Sequence, residues 1–367
     1  MINIAKPEIA EEEIKSVNEV LLSGVLAQGS RVAQLEEDFA KFCETKYALA
    51  VNSGTAALHA ALYAAGVGVG DEVITVPFSF IATINPILMQ GAKPVLIDID
   101  YATFNMDVTK LESAITSKTK AIIPVHLYGQ PASMDEINTV AKKHGIKVIE
   151  DACQAINANY GSNKTGNLGD LGCFSLYATK NIMCGEGGMI TTNNEEYANL
   201  IRKFRQHGMV GPYMYDDLGY NYRLTDLQAA IAIEQLKKAP RFTASRQKNA
   251  EEFNNAFANI TGLVLPEVDN GRSHVYHQYT LRVTDDFHMT RDEFVQALRD
   301  KGVGAGVYYP KALHTYPHIA KLGYKEGDFP ESIKASNECV SLPVHPGLSD
   351  DDIKTIASAV KSLSDEK

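Results

Sequence analysis

A regular alternation of short apolar runs with longer amphipathic segments constrains this chain more than any other feature. The runs are rich in Val, Ile and Ala, whereas the segments between them carry apolar residues at helical spacing. Strands buried on both faces of a parallel sheet read as continuous apolar runs, and the connecting helices need one apolar face. The predicted strands span residues 48–51, 72–76, 93–98, 121–125, 147–150, 172–176 and 188–192. We therefore predict an α/β fold whose large domain has a mainly parallel seven-stranded sheet flanked by helices.

Beyond residue 192 the pattern changes: helical segments come first, and short extended runs then alternate with helices. Extended runs at 276–283 and 306–309 alternate there with helical patterns. Over the whole chain, the predicted helices span residues 55–65, 81–90, 107–115, 134–144, 197–205, 225–257, 291–301 and 350–364. We expect a large domain over residues 1–245 and a smaller α+β domain over residues 246–367.

The net charge argues against nucleic acids and anionic membranes as partners. The chain has 35 Lys and Arg residues against 45 Asp and Glu residues, which gives a net charge of -10 at pH 7. Such a charge repels phosphate backbones and anionic membrane surfaces. The N-terminal residues lack an apolar signal segment, and no stretch approaches ~18 uninterrupted apolar residues. We expect a cytoplasmic protein with no nucleic-acid or membrane partner.

Two motifs resemble sites of other kinds. The glycine-rich stretch from Gly66 to Gly70 follows a predicted helix and precedes a strand, the reverse of the order in a dinucleotide-binding loop. His314 and His318 have the spacing of zinc ligands on a helix, but Pro317 lies between them. We therefore expect a structural turn and no metal site. The five cysteines lack the spacing of a disulfide framework, which favours reduced thiols.

A strand, a tight turn and a helix follow one another around Ser53-Gly54-Thr55. The first N–H groups of a helix and its dipole favour phosphate binding, and Gly54 would allow a close approach of the backbone. An ordinary helix N-cap explains the same residues. The motif by itself leaves both interpretations open.

Two further polar side chains follow predicted strands. Asp151 lies just after the strand at 147–150, at the position where ligands bind in open α/β sheets. Ser175 and Lys180 end the next apolar run and can converge on one pocket. A turn residue explains Asp151 equally well, and a lysine in a loop is usually a solvated surface charge. Three such motifs in this order favour a shared site.

The combination suits pyridoxal 5'-phosphate. That cofactor needs a lysine as covalent tether, a carboxylate facing its ring nitrogen and anchors for its phosphate. A carboxylate such as Asp151 would keep the ring nitrogen protonated, through a hydrogen bond worth roughly 1.5–3 kcal/mol. Lys180, Asp151 and the Gly54 turn are the candidates for these three roles.

The chain resembles the sugar aminotransferases of the DegT/DnrJ/EryC1/StrS family over nearly its whole length. The likeness is carried by SGTAAL at 53–58, EDACQA at 150–155, GYNYR at 219–223 and the segment from Ser175 to Lys180. Segments 70–74, 91–95, 125–130, 185–188 and 341–343 add to it. The resemblance implies the aspartate-aminotransferase fold (fold type I) and pyridoxal 5'-phosphate as cofactor.

The resemblance implies four contacts to the reactive part of the cofactor. Lys180 would be the tether and proton carrier, and Asp151 the partner of the ring nitrogen. Phe80 would stack on one face of the ring and Gln154 would lie near the other. Core packing is the alternative for Phe80.

Four further residues are implied to bind the phosphate. Gly54, Thr55 and Ser175 would hold it within one subunit. Asn221 would reach the phosphate bound by the partner subunit, which implies a homodimer with shared active sites. A polar loop residue before the helix at 225 is the alternative for Asn221.

The function implied is amino transfer, with L-glutamate as the expected donor, to a keto group of a nucleotide-linked deoxyhexose. Such a reaction serves amino-sugar biosynthesis for a surface polysaccharide or a secondary metabolite. Alternatives are a keto-cyclitol or another small ketone, a sugar dehydratase, and a non-catalytic cofactor sensor. Dehydratases of this kind replace the lysine with histidine, so Lys180 argues against them.

The chain departs from the family pattern at three positions. Tyr308 precedes Tyr309-Pro310 where relatives often have His-Tyr-Pro, which puts a histidine contact to the sugar in doubt. Cys153 and Cys184 replace the expected Ala and Thr. Packing explains Cys153 at least as well as chemistry does.

Overall fold

A computed structural model describes residues 1–365 of the chain. Its α-helices are α1 Glu11–Ser23, α2 Ser30–Cys43, α3 Gly54–Ala64, α4 Asn85–Met89, α5 Met134–His144, α6 Glu195–Phe204, α7 Asp226–Phe257, α8 Arg291–Asp300, α9 Pro317–Ala320, α10 Pro330–Glu338 and α11 Asp350–Asp365. The large-sheet strands are β1 Tyr47–Val51, β2 Glu72–Thr75, β3 Lys93–Leu96, β4 Thr119–Ile122, β5 Lys147–Asp151, β8 Leu171–Ser175 and β9 Gly188–Thr192. The other strands are β6 Asn159–Tyr160, β7 Asn163–Lys164, β10 Met209–Gly211, β11 Met214–Tyr215, β12 Leu263–Val264, β13 Tyr279–Val283 and β14 Cys339–Leu342.

The large sheet has seven strands in the order β1-β9-β8-β5-β4-β2-β3. The five strands from β8 to β3 pair in parallel, whereas β9 pairs antiparallel with both β8 and β1. This arrangement confirms the predicted α/β fold with a mainly parallel seven-stranded sheet. Since β2, β4, β5 and β8 run in the same direction, their carboxyl ends meet at one edge, where ligands bind in open sheets.

Helices cover both faces of this sheet. In β1, Leu49 and Val51 pack in the apolar cluster that contains most of α3. Ala48 and Ala50 point to the opposite face and join a cluster with α2 and α7. This alternation follows from the period of two along a strand. It places α3, which follows the Ser53-Gly54 turn, directly against the sheet.

The C-terminal part of the chain has its own core. Strands β12, β13 and β14 form an antiparallel sheet, and α8, α11 and the end of α7 pack on it through Phe253, Tyr279 and Phe294. Helix α7 runs without interruption through position 245, so the division expected there lies within a helix and stays a prediction. No helix in residues 1–365 is both long and apolar enough to cross a membrane.

Two predicted helices are wrong in extent. Residues 107–115 form two 3-10 turns, Val108–Lys110 and Glu112–Ala114, because the Asp107 side chain caps the first turn and only Leu111 of the segment is buried. Residues 81–90 divide into the 3-10 turn Ile81–Thr83 and α4. Pro86 lacks an N–H group and is tolerated only in the first turn of α4.

Two extended segments also differ from the prediction. Strand β13 begins at Tyr279, because Tyr276 has a φ of 44°, which is incompatible with a strand. Residues 306–309 do not form a strand; Gly306 makes a single bridge to Ser341 of β14. The remaining core elements lie within a few residues of their predicted bounds.

A buried carboxylate joins α2 to α7. Helix α2 begins after Gly29, which has no side chain to cap it. Asp226, the first residue of α7, accepts hydrogen bonds from the N–H groups of Gly29 at 2.8 Å, Arg31 at 3.2 Å and Val32 at 3.0 Å. A Cβ on Gly29 would lie 2.7 Å from this carboxylate, so glycine is required for the approach.

We predict that Asp226→Ala lowers the free energy of unfolding by about 2–4 kcal/mol, because it leaves three N–H groups at the start of α2, two half-buried and one buried, without an acceptor. Urea denaturation followed by circular dichroism measures the change. Asp285 is an exposed residue after β13, and Asp285→Ala should change stability by less than about 0.5 kcal/mol. Equal losses for the two variants would contradict the capping role.

Candidate active site

A cavity of about 450 Å³ opens at the carboxyl edge of the large sheet. It is lined by seven of the eight residues singled out in the sequence: Gly54, Thr55, Phe80, Asp151, Gln154, Ser175 and Lys180. These residues come from four separate parts of the chain. The eighth residue, Asn221, is exposed and does not line the cavity.

The start of α3 forms one end of the cavity. The Ser53 hydroxyl accepts a hydrogen bond from the Ala56 N–H at 3.1 Å and so caps the helix. The N–H groups of Gly54 and Thr55 precede the first bond of the helix and remain available to a ligand. A Cβ on Gly54 would lie 2.9 Å from the Ser175 Cβ, so only glycine fits here. Helix N–H groups and a serine hydroxyl therefore face the same space, as phosphate binding requires.

Lys180 is half-buried rather than exposed. Its backbone N–H donates to the Tyr177 carbonyl at 2.8 Å, within the turn that leaves β8. Burial lowers the pKa of the Lys180 amine, and the nearby Cys153 and Asp151 only partly oppose this effect. The interpretation of Lys180 as a solvated surface charge is therefore wrong. A buried amine with a lowered pKa is a better nucleophile and base at neutral pH.

Asp151 ends β5 with its carboxylate buried in the cavity wall. One oxygen, Oδ2, accepts a hydrogen bond from the Thr83 hydroxyl at 2.7 Å. The other, Oδ1, accepts from the Cys153 N–H at 3.3 Å. Thr83 in turn contacts the Ser79 hydroxyl at 2.8 Å. Both hydroxyl residues line the cavity, and the sequence reasoning missed them.

Glu150, the neighbour of Asp151, points to the opposite side of β5. Its fully buried carboxylate accepts hydrogen bonds from the N–H groups of Gly166, Leu168 and Gly169 at 2.7–2.9 Å. It also contacts His126 Nε2 at 3.0 Å. The other ring nitrogen of His126 accepts from a backbone N–H, so a neutral ring carries its proton on Nε2 and donates it to Glu150. Glu150 thereby fixes the end of β5.

Gln154 is held at both ends of its amide. The Tyr128 N–H donates to its Oε1 at 2.9 Å, and its Nε2 donates to the Tyr309 hydroxyl at 2.8 Å. Tyr128 has a φ of 55° and Gly129 a φ of 108°. A Cβ on Gly129 would lie 3.1 Å from the Gln154 carbonyl oxygen. The amide plane of Gln154 is therefore fixed in the wall of the cavity.

Aromatic rings surround the mouth. Phe80 is 60% exposed, which core packing does not explain, and Tyr308 is 40% exposed. His277 also lines the cavity, and its Nδ1 lies 3.2 Å from the Asn181 Oδ1. Burial, with the nearby charge of Lys180, lowers the pKa of His277 well below its usual value, so this imidazole is neutral. No local motif in the sequence marked His277.

Asn221 is presented outward by a rigid segment. The Asn52 N–H donates to the Tyr222 carbonyl at 2.9 Å, and the Asn52 side chain donates to the Asn221 carbonyl at 3.2 Å. The rings of Tyr220 and Tyr222 stack at 5.1 Å and pack against His59 of α3. The backbone around Asn221 is thus fixed, and the residue is exposed outside the lining of its own cavity.

The chain is similar in sequence to known proteins. The sequence pattern of the DegT/DnrJ/EryC1/StrS aminotransferase family matches residues 7–361. The spore coat polysaccharide biosynthesis protein SpsC of Bacillus subtilis is 43% identical over 97% of this chain and 95% of its own length. The GDP-perosamine synthase of Caulobacter vibrioides is 38% identical over 99% of this chain and 98% of its own length.

The fold agrees with these matches. Spr1654 of Streptococcus pneumoniae, solved in a PLP-form, aligns with a TM-score of 0.93 at 29% identity, over 99% of this chain and 98% of its own. The predicted fold type and the predicted enzyme class are confirmed. The chain is a pyridoxal-phosphate-dependent sugar aminotransferase that belongs to the DegT/DnrJ/EryC1/StrS aminotransferase family.

Proposed function

We propose that this enzyme transfers an amino group from L-glutamate to a keto group of a nucleotide-linked deoxyhexose, as a step in the synthesis of an amino sugar. The observation that carries the proposal is the meeting of Lys180, Asp151 and the start of α3 in one cavity. This set supplies an amine, a carboxylate and a phosphate-binding turn. Pyridoxal 5'-phosphate needs these three groups.

The residues present fit the cofactor. The Gly54 and Thr55 N–H groups and the Ser175 hydroxyl would hold its phosphate, because Gly54 lacks the Cβ that would fill this space. Asp151 would accept a hydrogen bond from the ring nitrogen, and Phe80 and Gln154 would flank the ring. When bound, the cofactor supplies a conjugated ring that accepts an electron pair from the amino donor.

Lys180 is proposed to carry the proton. Its Nζ would take the proton from the α-carbon of the donor and later return one to the carbon that receives the amine. Burial of Lys180 supports this role, since it lowers the pKa of the amine. The neutral His277 beside the cavity adds no competing positive charge.

A second cavity supports a substrate longer than a simple ketone. It has a volume of about 300 Å³ and shares Ser79, Phe80, Tyr308 and Tyr309 with the first cavity. Lys311 is exposed at its wall. Aromatic rings and a cation suit a nucleoside diphosphate, since bases stack on rings and phosphates attract ammonium groups. A free keto-cyclitol would leave this space empty.

A homodimer with shared active sites is proposed for the assembly. The β10–β11 hairpin and the residues just after it expose large apolar side chains: Val210, Tyr213, Met214, Tyr215 and Leu218. An apolar group of this size typically marks a contact surface. It lies a few residues from Asn221, so a second copy that covers the hairpin would also lie close to Asn221.

Lys180→Ala is expected to slow amino transfer from glutamate to the cofactor by about 10²–10⁴-fold, because it removes the proton carrier. The single-turnover change in cofactor absorbance after mixing with L-glutamate measures this rate. Lys142→Ala changes an exposed lysine on α5 and should leave the rate unchanged. A rate within about twofold of the wild type for Lys180→Ala would rule out the proposed role.

A keto sugar linked to a nucleotide should react with the amine form of the enzyme at least about 100-fold faster, in kcat/KM, than a keto-cyclitol or the free sugar. Lys311→Ala should reduce kcat/KM for the linked sugar about tenfold, since it removes a cation near the phosphates. Lys321→Ala, a matched exposed lysine, should have no effect. Equal kcat/KM values for linked and free substrates would support the small-ketone alternative.

Inactive Lys180→Ala and impaired Asn221→Ala chains should complement each other when refolded together. About half of the dimers would then be mixed, and each would have one intact site of two, so roughly a quarter of wild-type activity should return. Steady-state rates measure the return, and mass spectrometry of the intact dimers measures mixing. Mixed dimers that form and stay inactive would place Asn221 within its own subunit's site.

A further inference from the structure

Two buried hydroxyl groups lie between the end of β2 and Asp151. Ser79 is 2% exposed and Thr83 is 1% exposed. Both residues line the main cavity, in the segment that carries Phe80. Neither belongs to the set of residues assigned above to the cofactor, so their role in the site is open.

The hydrogen bonds of these hydroxyls have a defined direction. Thr83 Oγ1 lies 2.7 Å from Asp151 Oδ2, and an ionised carboxylate only accepts, so the Thr83 proton points to Asp151. The Thr83 hydroxyl has one proton, so it must accept from Ser79 Oγ at 2.8 Å. Ser79, Thr83 and Asp151 therefore form a chain of donors that ends on the carboxylate.

This chain restrains the Asp151 carboxylate. The backbone of Asp151 is fixed because its N–H donates to the Pro124 carbonyl and its carbonyl accepts from the His126 N–H. The side chain is then held at Oδ2 by Thr83 and at Oδ1 by the Cys153 N–H. Hydrogen bonds to a charged acceptor are the stronger kind, and a buried pair of them fixes one rotamer.

The same short turn also positions Phe80. The Thr83 N–H donates to the Phe80 carbonyl at 3.0 Å and closes the 3-10 turn Ile81–Thr83. Thr83 thus links the carboxylate at the base of the cavity to the exposed ring at its mouth.

We infer that Thr83, supported by Ser79, is a positioning residue that aims the Asp151 carboxylate at the cofactor's ring nitrogen. The inference rests on the proposed function, in which Asp151 is the partner of that nitrogen. Thr83 itself touches no reacting atom and acts through Asp151. Without the Thr83 hydroxyl, the carboxylate keeps only the 3.3 Å bond from the Cys153 N–H, so it can rotate away and the ring nitrogen loses its acceptor.

The test uses pyridoxamine 5'-phosphate labelled with 15N in its ring, which binds without a covalent bond. Its dissociation constant for cofactor-depleted enzyme is measured by calorimetry, and the ring-nitrogen chemical shift by NMR. Thr83→Val, which keeps the volume but not the hydroxyl, should weaken binding about tenfold. It should also move the 15N signal from the pyridinium towards the pyridine position. Thr83→Ser should restore both values.

A matched control removes a similar hydroxyl elsewhere. Thr75 is a fully buried residue of β2 that donates to the Ile123 carbonyl at 2.9 Å and does not contact Asp151. Thr75→Val should lower stability and leave both cofactor readings unchanged. If Thr83→Val does not fold, Ser79→Ala replaces it, with an expected loss of about threefold in binding.

The outcomes separate this inference from the proposed function. Asp151→Asn should lose the pyridinium signal; if it does not, Asp151 is not the partner of the ring nitrogen and both proposals are overturned. If Asp151→Asn loses the signal while Thr83→Val keeps it, the inference alone is overturned. Equal effects of Thr75→Val and Thr83→Val, or a Thr83→Ser variant no better than Thr83→Val, also overturn it.

Discussion

The parallel pairing of β5 with β8 determines on which side of the sheet the Asp151 carboxylate lies. Its register places Glu150 beside Gly172 and Asp151 beside Cys173. Because alternate residues of a strand face opposite sides, Glu150 turns to the buried loop and His126, and Asp151 turns to the cavity. A slip of one residue would exchange these two carboxylates and abolish the site. The hydrogen bonds to Glu150 make such a slip costly, since the slip would leave a buried carboxylate without its donors.

Burial gives the site its chemistry. An exposed lysine would stay protonated, whereas burial lowers the pKa of Lys180 and favours its neutral amine. A carboxylate paired closely with this amine would instead raise its pKa. Asp151 is instead held by the Thr83 hydroxyl and by the Cys153 N–H. Lys180 and Asp151 line one cavity, and within residues 1–365 Asp151 acts on the Lys180 amine through its charge and not through a hydrogen bond.

The sequence allowed the strand ends to be predicted because each is a local pattern. Asp151 and Ser175 follow apolar runs, and Gly54 opens a helix that follows a strand, so their convergence follows from the α/β sheet. Ser79 and Thr83 could not be found in this way, since Thr83 reaches Asp151 across 68 positions of sequence. The short 3-10 turns were missed because a few residues of helical pattern do not distinguish a helix from a turn. The role proposed for Asn221 depends on a second chain, which no pattern within one chain can place.

The proposed chemistry requires that Lys180 carries the cofactor. Reduction of the enzyme with borohydride in the presence of pyridoxal 5'-phosphate, followed by peptide mapping, identifies the lysine that is attached. We expect one cofactor adduct per chain, on the peptide that contains Lys180, with none on the exposed lysines. An adduct on a different lysine, with Lys180 unmodified, would contradict it.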